Sequence, residues 1–254
     1  MQGYLAFRGG TAIHKLLFPQ PLRYSEDIDL IQLKPGPVKP LLQAIGAALA
    51  WLGSEREVRQ TGQSVKLIYR FAPVSAIGGE SRKLKIELNI VEHQALLGLA
   101  QYSLSINNPW FKGESRLVSF SAEELLATKF RALLQRHKDR DLFDLGFALR
   151  SLNLNDSALV RCFCGYVAGN GKAALTRANI EHILLDKLNR CLVNDIQPLL
   201  PSHVTYGQHD ALEAFKALWL RLVVLVPGAP WKNTASAIES FHAQHGHPVF
   251  AELL

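Results

Sequence analysis

Cysteine is scarce. Three occur in 254 residues, Cys162, Cys164 and Cys191. The number is odd and there is no C-x-x-C spacing, which argues against a disulfide framework or a structural zinc site and fits a reduced, cytoplasmic protein. Long apolar runs are missing too: the most apolar stretch, Leu218 to Val226, is short and contains Arg221, so it reads as a buried helix and not as a membrane span. No opening segment joins a basic start, an apolar run and a small-residue cleavage site, and no secretory signal is expected. The nine histidines fall into no H-E-x-x-H or other ligand spacing, and His242, His245 and His247 read as a solvated tail. Neither a G-x-x-x-x-G-K-[ST] loop nor a G-x-S-x-G elbow occurs. Repeats and low-complexity segments are also lacking.

What is present is ordinary globular composition, 48% hydrophobic and 20% charged, enough for one large domain or two small ones. A net charge of +6 and a pI near 9.3 suit an anionic partner such as nucleic acid or nucleotide. The front of the chain mixes strand and helix signals. Thr11 to Phe18 reads as a helix stopped by Pro19 and Pro21. Ile28, Leu30 and Leu33 sit amid Asp27, Asp29 and Gln32 as in a strand with one wet face. A helix is expected over Leu41 to Leu52. Two alternating strands, Val65 to Phe71 and Lys83 to Val91, flank a loop with Gly78-Gly79 and read as a hairpin-like antiparallel pair; Arg116 to Phe120 adds another strand. From Ser121, where S-x-x-E with Glu124 fits a capping box, the texture turns helical to about Leu149. Further helices are expected over roughly Ser157 to Ala168, Ala178 to Leu192, Asp210 to Val226 and Thr234 to His245. The expected class is therefore α+β: a small mixed sheet flanked by helices over residues 1–150, then an all-helical domain over 151–254.

Two features of the front part carry chemistry. Asp27 and Asp29, at i and i+2 of a strand, share one face. Their mutual repulsion would be relieved by a hard divalent cation, magnesium or manganese, although a solvated acidic edge is the plainer reading of a bare D-x-D. Gly9 and Gly10 allow backbone N–H groups to approach an anion at a helix N-terminus, with Thr11 adding a hydroxyl; a simple strand-to-helix turn would use the same residues. Glu87, on one strand face with Lys85 and Asn89, is the best further carboxylate. Within the helix after Ser121, Lys129 falls near the centre of the apolar stripe formed by Ala122, Leu125, Leu126, Phe130, Ala132 and Leu133. It must snorkel, pair with an acid, or reach into a site. Arg131 falls on the opposite, solvent side. Asp141, Asp144 and Arg140 have the spacing of helical charge pairs, and Asp144 could instead orient Lys129 or bind a nucleotide.

Four ordered blocks, "FRGGTAIHKL", "RYSEDIDL", "KIELNI" and "ELLATKFRALLQRHKDRDLFDL", resemble the AbiEii/AbiGii toxin-type nucleotidyltransferases, a family that includes the MenT-type toxins within the polymerase-β-like superfamily. The resemblance covers about the first 150 residues. It implies that Gly9, Gly10 and Thr11 hold nucleotide phosphates, with Ser25 beside the triphosphate. Asp27 and Asp29 would be the metal pair and Glu87 a third carboxylate. Lys129 and Asp144 would complete the active site, supported by Arg140 and Asp141. It implies a magnesium- or manganese-dependent enzyme using a nucleoside triphosphate, an RNA or tRNA 3′ end as acceptor, and a cognate antitoxin protein as partner. The rival expectations are transfer to a protein or small molecule, and an inactive truncated binding module. Members usually carry a helical segment ahead of the glycine motif, whereas eight residues precede Gly9, so a late start or a truncated chain is expected.

Overall fold

The computed structural model describes residues 3–53, 55–73, 81–169, 175–188, 190, 192–246 and 253. It contains two compact units, Met1–Ser121 and Ala122–Leu254. The first is built on a seven-stranded mixed sheet and the second on helices, as the α+β expectation requires. The division falls at Ser121–Ala122, whereas the sequence reading divides the chain near residue 150. The difference has a packing reason: the two helices that follow Ser121 pack against later helices, Ala122–Gln135 on Asp156–Ala168 and Asp139–Ser151 on Gln208–Arg221.

In the first unit the elements are β1 (Leu5–Arg8), α1 (Gly9–Leu16), β2 (Asp27–Gln32), α2 (Lys39–Ala48), β3 (Arg56–Gln60), β4 (Ser64–Phe71), β5 (Arg82–Asn89), β6 (Leu99–Asn107) and β7 (Lys112–Phe120). Their order across the sheet is β3-β4-β5-β2-β1-β7-β6. The pairs β1–β2, β3–β4, β4–β5 and β6–β7 are antiparallel, while β2–β5 and β1–β7 run parallel. The expected antiparallel pair is β4–β5, in register from Ser64 opposite Asn89 to Phe71 opposite Arg82; Gly78 and Gly79 lie outside the described residues, as do Cys191 and His247. β3 and β6 are additional to the strands read from sequence.

Strand alternation then sorts the side chains. Ile28 and Leu30 of β2, Leu84 and Ile86 of β5 and Leu67 and Tyr69 of β4 form one apolar cluster with Ile45 of α2. Burying such a face is worth roughly 25 cal/mol per Å² of apolar surface, and this burial, not strand propensity, holds the register. The intervening residues Asp27, Asp29, Lys85 and Glu87 are thereby turned to the opposite face.

The second unit contains α3 (Ala122–Gln135), α4 (Asp139–Ser151), α5 (Asp156–Ala168), α6 (Arg177–Leu188), α7 (Gln208–Arg221) and α8 (Thr234–His245). The helical stretch expected to about Leu149 is two helices, parted at residues 136–138. α3 meets α5 through Phe130 and Phe163, ring centroids 4.4 Å apart. On α4, Gly146 lies so close to Ala214 of α7 that a Cβ there would collide with it. The fully buried Glu181 accepts from Arg177, the Trp231 backbone and the Thr234 hydroxyl, tying α6 to the start of α8. Among the described residues no helix is long and apolar enough to cross a membrane.

Candidate active site

Within the sheet unit, six of the candidate site residues, Gly9, Gly10, Thr11, Asp27, Asp29 and Glu87, lie on α1, β2 and β5, and Ser25 lies just before β2. Gly9 opens α1 with φ +78°, a backbone that side-chain-bearing residues rarely adopt, and a Cβ at this position would strike the Asp29 carboxylate. Only glycine satisfies both demands. Gly10 is packed against Arg23: its Cβ would stand 2.8 Å from an Arg23 guanidinium nitrogen and 3.4 Å from Ser25 Oγ. Arg23 is itself buried and donates to the Tyr24 carbonyl at 2.8 Å. The Thr11 hydroxyl reaches Ser25 Oγ at 2.6 Å and also the main-chain carbonyl of Asp27. The first turn of α1 is thereby fastened to the segment that leads into β2.

Asp27 and Asp29 share a strand face, as their spacing requires. The parallel β2–β5 register sets Asp27 beside Lys85 and Asp29 beside Glu87. Lys85 Nζ is 2.6 Å from Asp27 Oδ2 and 3.7 Å from Glu87 Oε2. Burial works against the Lys85 charge, but the hydrogen bond and charge of Asp27, with Glu87 and Asp29 behind it, outweigh that and raise its pKa. Glu87 also accepts from Ser64 Oγ at 3.0 Å and lies 3.5 Å from Lys66 Nζ. Lys85, on the neighbouring strand, therefore offsets the aspartates directly. What sequence reasoning passed over is the pairing of Lys85 with Asp27.

Among the described residues no group of three or more His, Cys, Asp or Glu side chains is placed to hold a metal ion. Magnesium does not demand one, since it is commonly bound by one or two carboxylates together with substrate phosphates and water. Two hard carboxylates on one face, one already drawing an ammonium to 2.6 Å, have the donor chemistry such an ion requires. Gly9→Ala should cost about 1–2 kcal/mol through its left-handed backbone and displace Asp29. Transfer by the variant should fall roughly a hundredfold, the cost of misplacing a reacting group by about an ångström. Comparison of turnover and melting temperature with wild type checks this; unchanged turnover would show that the Gly9–Asp29 approach is only structural.

The helical unit gathers the others. Lys129 is buried, with its Nζ 3.0 Å from Asp141 Oδ1 and 2.9 Å from Asp144 Oδ2, both aspartates being completely buried. Of the three fates open to this lysine, pairing with acids is the one observed. Arg136 joins Asp141 from the helix break, with Nε 2.7 Å from Oδ2 and Nη2 2.9 Å from Oδ1. Burial would raise the pKa of Asp141, but Lys129 and Arg136 overcome it and hold the carboxyl below its ordinary value. Arg140, in the first turn of α4, is half-buried. Arg131 does not face solvent as expected: its guanidinium lies over the Tyr166 ring, 4.9 Å from the centroid. Tyr166 in turn donates to the fully buried Glu124.

A family model described as "Nucleotidyl transferase AbiEii toxin, Type IV TA system" matches residues 2–218. Among solved structures, the nucleotidyltransferase toxin MenT4 of Mycobacterium tuberculosis H37Rv is similar at 19% identity and a TM-score of 0.64, over 98% of this chain and 85% of that one. JHP933 from Helicobacter pylori is similar at 16% identity and a TM-score of 0.53, over 96% and 90%. A further Helicobacter pylori protein, described as a nucleotidyltransferase, reaches 18% and 0.52 over 88% of each chain. These identities establish a shared fold. No curated protein matches.

Proposed function

We propose that this chain, which belongs to the nucleotidyl transferase AbiEii toxin family, moves a nucleoside monophosphate from a triphosphate to the 3′ end of an RNA, with tRNA as the acceptor class. One observation carries the reading: Gly9 is shaped by backbone and by missing side chain to seat the Asp29 carboxylate, beside Asp27 on the same strand face and at the N-terminus of a helix. That combination supports a phosphate cradle next to a carboxylate pair. Asp27 and Asp29 would hold a magnesium or manganese ion, which when bound would neutralise the triphosphate and lower the pKa of the acceptor hydroxyl.

The chain's own residues do the rest. Backbone N–H groups of Gly9 and Gly10 and the Thr11 and Ser25 hydroxyls receive phosphate oxygens, and the charge of Arg23 reinforces that end of α1. Lys85 holds Asp27 in place until the nucleotide arrives. The acceptor hydroxyl gives its proton to water and its oxygen forms the new bond to the α-phosphorus as the bond to pyrophosphate breaks, and pyrophosphate leaves. Glu87 keeps the carboxylate face negative. Lys129, Asp144, Asp141 and Arg140 take part as the resemblance implies; the burial of the Lys129 triad favours a second reading, in which it stabilises the helical unit.

The test incubates the protein with each labelled nucleoside triphosphate and total cellular RNA, with and without magnesium. Label should enter RNA 3′ ends from one triphosphate, only with magnesium, and binding to RNA should weaken steeply as salt rises. Label in a protein or small molecule would replace the RNA acceptor. Triphosphate binding without any transfer would leave a binding module. A cognate antitoxin is the partner that the family's toxin–antitoxin description suggests.

A further inference from the structure

The sheet face that carries Asp27 and Asp29 continues across β5, β4 and β3. Register sets Lys85, Ile68 and Glu57 in the row of Asp27, and Glu87, Lys66 and Arg59 in the row of Asp29. The charges in these rows are matched, Lys85 with Asp27, Lys66 with Glu87 and Arg59 with Glu57. The next row, at the end of the sheet where β2 and β5 begin, is different. There Arg70 and Lys83 stand directly opposite each other, and both are exposed. Like charges so placed repel and weaken a sheet. Among the described residues no salt bridge joins either to a carboxylate; the charge of Glu57 feels both, but Arg59 already holds that carboxylate. A second observation lies at the same corner. Trp51 is 77% exposed and, with Leu52, Glu55, Arg70 and Phe71, lines an open groove of about 580 Å³.

We propose that Arg70, Lys83 and Trp51 hold the single-stranded segment of the RNA acceptor that leads to the carboxylate pair, an inference that rests on RNA being the acceptor. Neighbouring strands lie roughly 4.8 Å apart and successive residues of one face roughly 6.6 Å apart, so Lys83 and Arg70 stand about 8 and about 12 Å from Asp27 along the sheet. That is the reach of a short stretch of chain behind a reacting 3′ end. Phosphates of this stretch meet the two cations and remove their mutual repulsion. A base stacks on the Trp51 indole, and cations tracking the backbone beside an aromatic platform are how single strands are held without sequence preference. Glu55, in the same groove, disfavours a phosphate there and leaves the place to an uncharged base. A duplex would offer phosphates but no open base face, because its bases are stacked on one another. The combination of Trp51 with the cations therefore selects a single strand.

Fluorescence anisotropy of the full chain with a labelled single-stranded oligoribonucleotide of roughly 12 nucleotides, read over a salt series, tests this. Arg70→Gln with Lys83→Gln should weaken binding and lower the slope of log affinity against log salt by about 1.4, the loss of two phosphate contacts. The melting temperature should not fall, since two opposed like charges are removed. Trp51→Ala should weaken binding roughly tenfold with the slope kept, and Trp51→Phe should restore most of it. Lys112→Gln with Arg116→Gln removes the same charge from β7, on the other side of β2, and should leave the slope unchanged. Every variant should bind magnesium and triphosphate as wild type does. A wild type that binds no RNA would overturn the RNA reading and this proposal with it. Three outcomes would overturn this proposal alone: RNA binding untouched by the Arg70, Lys83 and Trp51 variants, an equal fall in slope with Lys112 and Arg116, or triphosphate binding lost with Arg70 and Lys83.

Discussion

Lys129→Ala should lower the melting temperature of the helical unit by roughly 6–20 °C and abolish nucleotide transfer. The stability part follows from the two completely buried carboxylates that its ammonium serves, Asp141 and Asp144, at 3.0 and 2.9 Å. Removing one partner of a buried ion pair costs about 3–5 kcal/mol because a charge is left without compensation. For a chain of this size each kcal/mol is worth about 2–4 °C. Periodicity alone suggests a thermally neutral truncation, since a lone lysine in an apolar stripe is itself a burden. The aspartates reverse that sign. The same geometry separates a structural from a catalytic role. Lys129→Met combined with Asp144→Asn removes one positive and one negative charge and leaves Asp141 with Arg136. The double variant should regain most of the lost stability, as measured by calorimetry. If Lys129 acts on the reaction, transfer stays absent in that refolded protein; recovered transfer would reduce the triad to a structural device.

Why the triad was only half legible is clear from its residues. Helical spacing places Lys129 on the apolar stripe and brings Asp141 and Asp144 onto one turn. The break at 136–138, which lets α4 bring both carboxylates to the lysine, has no proline or glycine to announce it. The Lys187 ammonium donates to the Arg136 carbonyl at 2.9 Å, a tertiary contact invisible to local pattern. Arg131 misleads for a related reason: a helical wheel shows which way a side chain points but not that Tyr166 of α5 is waiting there. In the sheet, the D-x-D face and the glycine turn were readable because both depend on neighbours in sequence. Lys85 was not, since its place beside Asp27 needs β5 to be the parallel neighbour of β2, a non-local pairing. β6 is a different case. Its alternation of Ala100, Tyr102, Leu104 and Ile106 with polar residues is plain in the sequence and was passed over.

Asp29→Asn and Asp27→Asn should each reduce transfer by about a thousandfold or more with little change in melting temperature. Losing a carboxylate that positions a catalytic cation removes several kcal/mol of transition-state stabilisation, and each 1.36 kcal/mol is about tenfold in rate. The fold should tolerate both changes. Asparagine keeps the shape of aspartate, and the Asp27–Lys85 pair, with side chains 34% and 32% exposed, is open enough to water that its loss costs little. Asp29→Asn still fits the space that Gly9 leaves, because that space is set by the absent Cβ and not by charge. The two variants should differ in one respect. Asp27→Asn takes away the main partner of Lys85, so the Lys85 pKa should fall toward its ordinary value, whereas Asp29→Asn removes only the weakest of the three carboxylate influences on it. Lys85→Met supplies the converse: with no ammonium on Asp27, magnesium should bind more tightly in the absence of nucleotide, read by calorimetric titration. Near-full transfer by either asparagine variant at saturating magnesium would overturn the assignment of the carboxylate pair. The face would then be an acidic strand surface that Lys85 helps to neutralise.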